Sequence, residues 1–372
     1  MHVVFRVDAS IQIGTGHVMR CLTLADELTR QDQECRFICR EHPGNLGDLI
    51  KSKGYGLTLL PAPADQPLNQ ANRAFDDYAR WLGVTWQEDA YQTLEKISTL
   101  NPGWLVVDHY SLDAKWERTL SSAVGKVMVI DDLANRPHES ALLLDQNLGR
   151  VASDYDGLLP AECLRLNGPR YALLRPEFAA LREQSLSRRK NPELKRILIS
   201  LGGVDPTNVT GQVLTGLAHS SLPASTELDI IMGASAPYLD EVRQQAAQLS
   251  FKATVSVNVQ NMAERMCLAD LSIGAAGGTS WERSCLGLPA VLVVLADNQV
   301  SGAKALETAG AARMIGEPSL VGTVLPSILA ELSNSARLIH MSKAAADITD
   351  GQGGGRVISI MAQWKGDVSE RT

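Results

Sequence analysis

Short apolar runs alternate with helix-like patterns along the whole chain. The runs are continuous in Val, Ile, Leu and Phe, which is typical of parallel strands that are covered on both faces. Five of them fall in the first half and five in the second. The predicted strands are HVVFRV, ECRFIC, GLTLL, WLVVDHY and KVMVIDD, followed by RILISLGG, ELDIIMG, KATVSVNV, LSIGAAGG and AVLVVLA.

Helical patterns separate these strands, for example VMRCLTLADELTRQ, LDAKWERTLSSAV and SWERSCLG. Alternation of strands and helices predicts an α/β fold with parallel sheets, and 372 residues are too many for one ordinary core. Pro176 ends a strand-like run, and a charged helix follows it. We therefore predict an N-terminal domain over 1–175, a C-terminal domain over 176–350, and a helix and tail over 351–372.

Composition excludes several classes of protein. The net charge of −7 argues against nucleic-acid binding, which usually requires a basic face. The cysteines are scattered without a C-x-x-C pair, so a zinc ribbon is not expected, and free thiols fit a reducing compartment. The start MHVVFRVDAS lacks the features of a signal peptide, and no apolar run is long enough to span a membrane. We expect a cytoplasmic protein without a membrane partner.

The motif IGTGHVMR connects the first predicted strand to the first helix. A dinucleotide fingerprint is excluded because G-x-G-x-x-G would require glycine at Met19. Gly14 and Gly16 could form only a tight turn. Alternatively, the loop lies at the carboxyl edge of the sheet, where ligands bind, and the glycines admit substrate close to the backbone. The helix dipole would then keep His17 neutral and able to accept a proton from water.

Polar residues also close the later strands of the first half. Asp108, His109 and Tyr110 follow a buried strand in VVDHYS, where Asp alone could be a helix cap. With His17 they would form a proton-handling cluster at the same sheet edge. Asp131 and Asp132 end another strand, and the sequence favours hydrogen-bonded or solvated carboxylates there over a metal site.

Two glycine-rich helix starts occur in the second half. In ISLGGVDPTNVT, free amides from Gly203 to Asp205 could hold a phosphate, while Asp205 could equally be an N-cap. In GAAGGTSWERSC, Gly278 and Thr279 begin a helix, and Glu282 could cap it or accept hydrogen bonds from two ribose hydroxyls. This arrangement suits a nucleoside diphosphate better than a dinucleotide.

Several motifs together resemble the hydrolase family of pseudaminic acid biosynthesis, within the GT-B nucleotide-sugar enzymes. They are R-x-D-x-S-x-x-IGTGHVMRCLTLA, VVDHY, YALLRPEF, LGGVDPTN and ADNQ. The resemblance implies a GT-B fold of two Rossmann-like domains with a cleft between them. It also implies hydrolysis of UDP-2,4-diacetamido-2,4,6-trideoxy-β-L-altropyranose, with inversion and without a metal or cofactor. A UDP-sugar and UDP would be the ligands, and a monomer or weak dimer is expected.

The resemblance also implies roles for individual residues. His17 matches the family's general base, Tyr110 with Asp108 and His109 matches a cleft motif, and Asn298 matches an active-site asparagine. The wider GT-B group implies further positions for the nucleotide. These are Glu282 for the ribose, Gly278 and Thr279 for the phosphates, Arg175 as a hinge arginine, Met262 at the uracil-reading turn, and Gln299 in the final motif.

Other interpretations stay open from the sequence. A GT-B glycosyltransferase that uses a UDP-N-acetylamino sugar is the nearest alternative. A UDP-sugar epimerase would need paired acids, such as Asp131 and Asp132, and a nucleotide-sugar-binding regulator would need no chemistry at all. Residues 71–96 and the tail after Gly351 look like extensions relative to the family, and the first could shape the sugar pocket.

Overall fold

The computed structural model describes residues 1–63 and 78–364. The chain divides into two compact units. Unit 1 comprises Met1–Leu173 and the chain from Gly353 onward, and unit 2 comprises Leu174–Gln352. The sequence placed the boundaries after residues 175 and 350. Part of the predicted extension over 71–96 and the end of the tail lie outside the described residues.

Unit 1 is built on a parallel sheet flanked by helices. Its strands are β1 (His2–Val7), β2 (Glu34–Arg40), β3 (Gly56–Leu60), β4 (Trp104–Asp108), β5 (Lys126–Ile130), β6 (Leu142–Asp145) and β7 (Leu164–Asn167). Its first helices are α1 (Gly16–Thr29), α2 (Gly47–Ser52), α3 (Trp86–Ile97) and α4 (Ala114–Leu120). Among the described residues the strand order is β3-β2-β1-β4-β5-β6-β7.

Both faces of this sheet are covered, which explains the continuous apolar runs. Val3, Phe5 and Val7 of β1 belong to one apolar cluster, and Val4 belongs to another on the opposite face. All four side chains are fully buried. Because successive side chains of a strand point to opposite faces, a strand buried on both faces favours apolar residues at consecutive positions.

Unit 2 has the same architecture. Its strands are β8 (Arg196–Ser200), β9 (Glu227–Met232), β10 (Lys252–Val257), β11 (Leu271–Ala275), β12 (Ala290–Val293) and β13 (Ala312–Gly316). Its helices are α5 (Pro176–Arg188), α6 (Val209–Ala218), α7 (Leu239–Gln248), α8 (Met262–Leu268), α9 (Thr279–Cys285), α10 (Val300–Thr308), α11 (Val321–Leu332) and α12 (Ser335–Ala346). The parallel order β10-β9-β8-β11-β12-β13 is that of a doubly wound nucleotide-binding sheet.

The chain returns to unit 1 with its last helix, α13 (Gly353–Gln363). Val357, Ile358 and Met361 on this helix are buried in the same apolar cluster as Leu22 of α1. The sequence predicted a separate helix and tail over 351–372. A helix lies within this range, and its apolar face packs in the core of unit 1.

The prediction of two parallel-sheet α/β domains is confirmed. Three strands were not predicted, namely β6, β7 and β13. Each has only four or five residues, and β7 and β13 keep polar or partly exposed positions, so their apolar signal is weak. Within the described residues, no helix is long and apolar enough to cross a membrane.

Candidate active site

The loops that follow β1 and β4 lie at the point where the strand order of unit 1 reverses. On one side of β1 lie β2 and then β3, and on its other side lie β4 and the later strands in order. Ligands bind at the carboxyl ends of the strands at such a point, because the loops on its two sides diverge and leave a crevice. The motif IGTGHVMR and the residues after Val107 therefore meet at the expected ligand position.

The glycine turn sets the position of His17. Gly14 has a φ of 78°, which glycine adopts without strain, and its N–H donates to the Ser10 carbonyl at 2.8 Å. The Ser10 hydroxyl accepts a hydrogen bond from the Ile13 N–H at 2.9 Å. Helix α1 then begins at Gly16, so His17 is its second residue and lies at the positive end of the helix, as predicted.

Asp108 orients the ring of His17. The His17 Nδ1 lies 2.6 Å from the Asp108 Oδ1. Because an ionised carboxylate can only accept, this contact places the proton on Nδ1. The other ring nitrogen, Nε2, makes no hydrogen bond to any described residue, and the side chain retains slight exposure to solvent. With its proton on Nδ1, the ring presents Nε2 as a hydrogen-bond acceptor to a ligand.

Arg20 holds Asp108 in its ionised form. Its Nε donates to Asp108 Oδ2 at 2.6 Å and its Nη2 donates to Oδ1 at 2.7 Å. Burial alone would raise the pKa of Asp108, but the charge of Arg20, with His17, holds it well below its ordinary value. The sequence analysis missed Arg20. Its signal was present, since Arg20 follows His17 by three residues, which is one helical turn.

Tyr110 packs against the other side of His17. The two rings meet edge to face with centroids 4.6 Å apart. The Tyr110 hydroxyl donates to Asp132 Oδ2 at 2.7 Å, and Arg20 Nη1 donates to the same oxygen at 2.6 Å. Burial, with the charge of Asp132, raises the pKa of Tyr110 well above its ordinary value, so the phenol remains protonated.

The acidic pair after β5 is hydrogen-bonded, as the sequence analysis favoured. Asp132 joins the site through Arg20 and Tyr110. Asp131 instead accepts from the Ala134 N–H at 2.8 Å and from Arg136 Nη1 at 2.7 Å. Within residues 1–63 and 78–364, no group of three or more His, Cys, Asp or Glu side chains is arranged to hold a metal ion.

His109 makes no recorded contact with His17, which corrects the predicted cluster of Asp108, His109 and Tyr110 with His17. Its Nδ1 accepts from the Ser111 N–H at 3.1 Å, and its Nε2 lies 3.3 Å from Asp8 Oδ2. Burial lowers the pKa of His109, so its ring is neutral. The reason is geometric: neighbouring residues at the end of a strand point to opposite faces, so Asp108 and His109 cannot face the same site.

The loop after β8 differs from the predicted phosphate site. Helix α6 begins at Val209 rather than at Pro206, and Asn208 is its N-cap, accepting from the Gly211 N–H. The Asp205 carboxylate accepts from the N–H groups of Val209 at 2.9 Å and Thr210 at 2.8 Å. The amides at the start of α6 are therefore bonded to a carboxylate. The predicted amides, from Gly203 to Asp205, donate no hydrogen bond to any described residue, so their role with a phosphate stays a prediction. Asp205 caps the helix and does not present it to a phosphate.

The loop after β11 fits the prediction better. Gly278 and Thr279 are exposed at the start of α9, and no side chain caps this helix. The first hydrogen bonds of this turn are donated by the N–H groups of Ser280 and Trp281. The N–H groups of Gly278 and Thr279 donate no hydrogen bond to any described residue. Gly203, in the loop after β8, is also exposed, and its carbonyl accepts from Gly233.

Glu282 and Arg175 lie together. The Arg175 Nη2 is 3.4 Å from Glu282 Oε1, and its Nη1 is 3.1 Å from Glu177 Oε1. Burial raises the pKa of Glu282, and the charge of Arg175 opposes that shift. Arg175 is the residue before α5, so it lies two residues inside unit 2.

The remaining predicted residues lie in turns of unit 2. Asn298 is exposed in a 3-10 turn over Asp297–Gln299 that follows β12. The Gln299 Oε1 accepts from the Leu295 N–H at 3.1 Å, so this side chain shapes the turn. Met262 is the first residue of α8 and is partly exposed.

The fold and these loops define a GT-B protein with two Rossmann-like domains. Residues 202–352 match the Glycosyltransferase family 28 C-terminal domain. The crystal structure of MurG from Acinetobacter baumannii superposes with a TM-score of 0.69 at 16% sequence identity, covering 97% of this chain and 99% of that chain.

The chain is similar to the UDP-2,4-diacetamido-2,4,6-trideoxy-beta-L-altropyranose hydrolase of Campylobacter jejuni. The two are 29% identical over 267 residues, which is 72% of this chain and 81% of the hydrolase. The resemblance expected from the motifs is therefore confirmed. An uncharacterized protein of Methanocaldococcus jannaschii is 26% identical over 310 residues, and the chain covers only 56% of its length.

Transferases are also among the relatives. The UDP-N-acetylglucosamine--N-acetylmuramyl-(pentapeptide) pyrophosphoryl-undecaprenol N-acetylglucosamine transferase of Acidithiobacillus ferrooxidans is 25% identical over 370 residues. That alignment covers 95% of this chain and 96% of the transferase. The comparisons thus group the chain with UDP-sugar-processing enzymes of the GT-B type, which include both hydrolases and transferases.

Proposed function

We propose that this chain hydrolyses UDP-2,4-diacetamido-2,4,6-trideoxy-β-L-altropyranose to UDP and the free sugar, with His17 as the general base. The observation that carries the proposal is the ordered series Arg20, Asp108 and His17. Arg20 keeps Asp108 ionised, and Asp108 Oδ1, which lies 2.6 Å from His17 Nδ1, accepts the hydrogen bond from that nitrogen. The free Nε2 can then accept a proton from water.

The reaction needs little else from unit 1. The water oxygen bonds to the anomeric carbon while the bond from that carbon to the diphosphate oxygen breaks, and UDP leaves with the electron pair. The water proton passes to His17 Nε2, and Asp108 stabilises the imidazolium that forms. Because water attacks the face opposite UDP, the anomeric configuration inverts. UDP leaves as a stable anion, so a strong general acid is not required.

Unit 2 carries the groups that we assign to UDP. The unbonded amides of Gly278 and Thr279 can donate to phosphate oxygens, and Glu282 can accept hydrogen bonds from the ribose hydroxyls. Arg175 would help to offset the charge of the diphosphate. The family resemblance supports three further assignments. Asn298 would be an active-site asparagine, Met262 would lie at the turn that reads the uracil, and Gln299 would belong to the substrate-binding motif. Asp205 is not included, because its carboxylate caps α6.

A UDP-release assay tests the proposal. Purified protein receives the diacetamido-altrose nucleotide sugar or UDP-N-acetylglucosamine, with a chelator and without an acceptor. We expect release from the first substrate, and we expect His17→Ala to lower the rate by roughly 100- to 10,000-fold while UDP binding is retained. His219→Ala is the matched control, since this exposed histidine at the end of α6 lies in unit 2 and its ring hydrogen-bonds the Thr215 carbonyl. An unchanged rate in His17→Ala would remove the base assignment.

A GT-B glycosyltransferase is the second candidate. It is favoured by the transferase relative that aligns over 95% of this chain. The same assay separates the two, because a transferase releases little UDP until an acceptor is added. If UDP is released only when an acceptor extract is added, the proposed function becomes sugar transfer. Rapid UDP release in water alone, with inversion of the anomeric carbon seen by NMR, supports the hydrolase.

A further inference from the structure

A group of aromatic side chains lies beside His17. It consists of Tyr78, Trp81 and Tyr110. The rings of Trp81 and Tyr110 are stacked, with centroids 5.6 Å apart and an angle of 24° between their planes. Trp81 also meets His17 edge to face at 6.3 Å, and Tyr78 meets Trp81 at 4.7 Å. The candidate base thus lies against two layers of aromatic surface.

The backbone around Trp81 is held in place by unit 1. Ala79–Trp81 forms a 3-10 turn in which the Trp81 N–H donates to the Tyr78 carbonyl at 2.8 Å. The Ser111 hydroxyl donates to the same carbonyl, which ties the turn to the loop after β4. The next residue, Leu82, is buried in the apolar cluster on one face of the sheet. The indole therefore has a defined place beside the site.

Burial distinguishes the two layers. Tyr110 is 5% exposed and its hydroxyl is bonded to Asp132, so it belongs to the support of His17. Trp81 and Tyr78 are partly exposed and form the outer layer. An indole fixed beside a base, with part of its surface open to solvent, offers an apolar contact to any ligand that reaches the base.

We propose that Trp81, with Tyr78 beside it, is the sugar subsite and binds the apolar face of the substrate's hexose. The inference rests on the proposed function, because it takes its ligand to be a deoxy, acetamido sugar. Such a sugar carries a methyl group at C6 and two acetyl methyl groups, which are the apolar groups that an aromatic surface recognises. A sugar with a hydroxyl at C6 would bind this surface less well.

A purely supporting role for Trp81 predicts a different outcome. If the indole only shields Tyr110 and His17, its loss would lower the rate without a selective effect on sugar binding. A role in stacking the uracil base would lower the affinity for UDP itself. The sugar subsite requires that UDP binds as before while the extra affinity due to the sugar is lost.

Calorimetry in a His17→Ala background makes this distinction without turnover. UDP and the UDP-diacetamido sugar are titrated into His17→Ala alone and into the same variant with Trp81→Ala, Trp81→Phe or Trp86→Ala. Trp86 is the matched control, since it begins α3 a few residues later and packs on the apolar cluster that contains Leu82. Trp81→Phe keeps an aromatic surface, so it distinguishes loss of the sugar contact from misfolding of the variant.

We expect Trp81→Ala to weaken binding of the UDP-sugar about tenfold and to leave UDP affinity unchanged. Trp81→Phe should recover most of the lost affinity for the UDP-sugar. Trp86→Ala should leave the affinities for both ligands unchanged. Equal losses for UDP and the UDP-sugar, or no loss for either, would overturn the subsite. The proposed function is tested separately by the UDP-release assay, and it would be contradicted if the wild-type chain released no UDP.

Discussion

Arg20 shows how much of the candidate site depends on a side chain that never reaches the substrate in the proposed reaction. It bonds both oxygens of Asp108 and one oxygen of Asp132. Through Asp108 it keeps the proton of His17 on Nδ1, and through Asp132 it shares a partner with Tyr110. It is a positioning residue in the proposed reaction, because it holds these carboxylates and its Nη2 also lies 3.3 Å from His17 Nδ1.

Replacement of Arg20 should therefore destabilise unit 1. Arg20→Met leaves Asp108 buried without its counter-charge, which typically costs about 3–5 kcal/mol in the free energy of unfolding near pH 7. In the wild type the depressed pKa of Asp108 contributes stability above the ordinary pKa of Asp, and this is lost as the pH falls through the lower folded value. The difference between variant and wild type should shrink below about pH 4.

Urea unfolding of both proteins between pH 3 and pH 8 measures this difference, with Arg30→Met as the control. Arg30 pairs with Glu27 just after α1, and its side chain is 47% exposed, so its loss should cost less than about 1 kcal/mol. A difference for Arg20→Met that stays constant with pH would contradict the assigned role.

Glu282 supports a second prediction, on nucleotide binding. Glu282→Ala removes the proposed acceptor for the ribose hydroxyls, and loss of a hydrogen bond to a charged group should weaken UDP binding about ten- to hundredfold. Glu177→Ala is the matched control, because Glu177 is the other carboxylate beside Arg175. Calorimetry with UDP compares the two. Equal affinities in Glu282→Ala and the wild type would end the ribose assignment.

Residue chemistry at the site could be predicted only in part. His17, Asp108 and Tyr110 were accessible because glycines and polar residues close apolar strands at one sheet edge. Arg20 was not predicted, although its spacing from His17 places both on one helix face, because an arginine on a helix is usually a solvated surface residue. His109 was assigned wrongly, because successive residues of a strand face opposite sides and the motif was read as one cluster.

At the scale of elements, most strands of the two sheets and the starts of α1 and α9 could be predicted from the sequence, and the start of α6 could not. Continuous apolar runs located most strands to within a few residues. The start of α6 was predicted three residues too early, because Asp205, Pro206 and Asn208 all suit a helix start and only the backbone shows which one is used. Asn208 adopts a left-handed conformation with a φ of 54°, which the sequence does not announce.

The packing of helix α13 in unit 1 leads to a prediction about the stability of that unit. Ile358 is 1% exposed in the core of unit 1, and Ile358→Ala should lower the unfolding free energy of that unit by about 2–5 kcal/mol. Hydrogen exchange followed by mass spectrometry should show faster exchange in β1 and α1, with β8 and β11 unchanged. The control is Ile339→Ala on α12, which is 43% exposed and should change little. Faster exchange confined to unit 2 would contradict the assignment of α13.

At the scale of the molecule, two similar sheets carry different local chemistry. Each unit offers ligands the carboxyl ends of its central strands. Unit 1 presents a histidine, two carboxylates and an aromatic surface, whereas unit 2 presents exposed glycine backbone with Glu282 and Arg175. The fold class was predictable from the alternation of strands and helices. The division of roles follows from which polar residues end each strand, so the proposed reaction places the chemistry on unit 1 and the nucleotide on unit 2.

The path of the chain through the two units also sets an order of synthesis. The first 173 residues of unit 1 emerge from the ribosome before any of unit 2, but α13 follows Gln352. Until α13 has been made, the apolar surface of α1 that it covers has no native partner. Domains generally fold as units during translation. Here the unit that starts first is finished last, and unit 2 has all of its residues available before the core around His17 is closed.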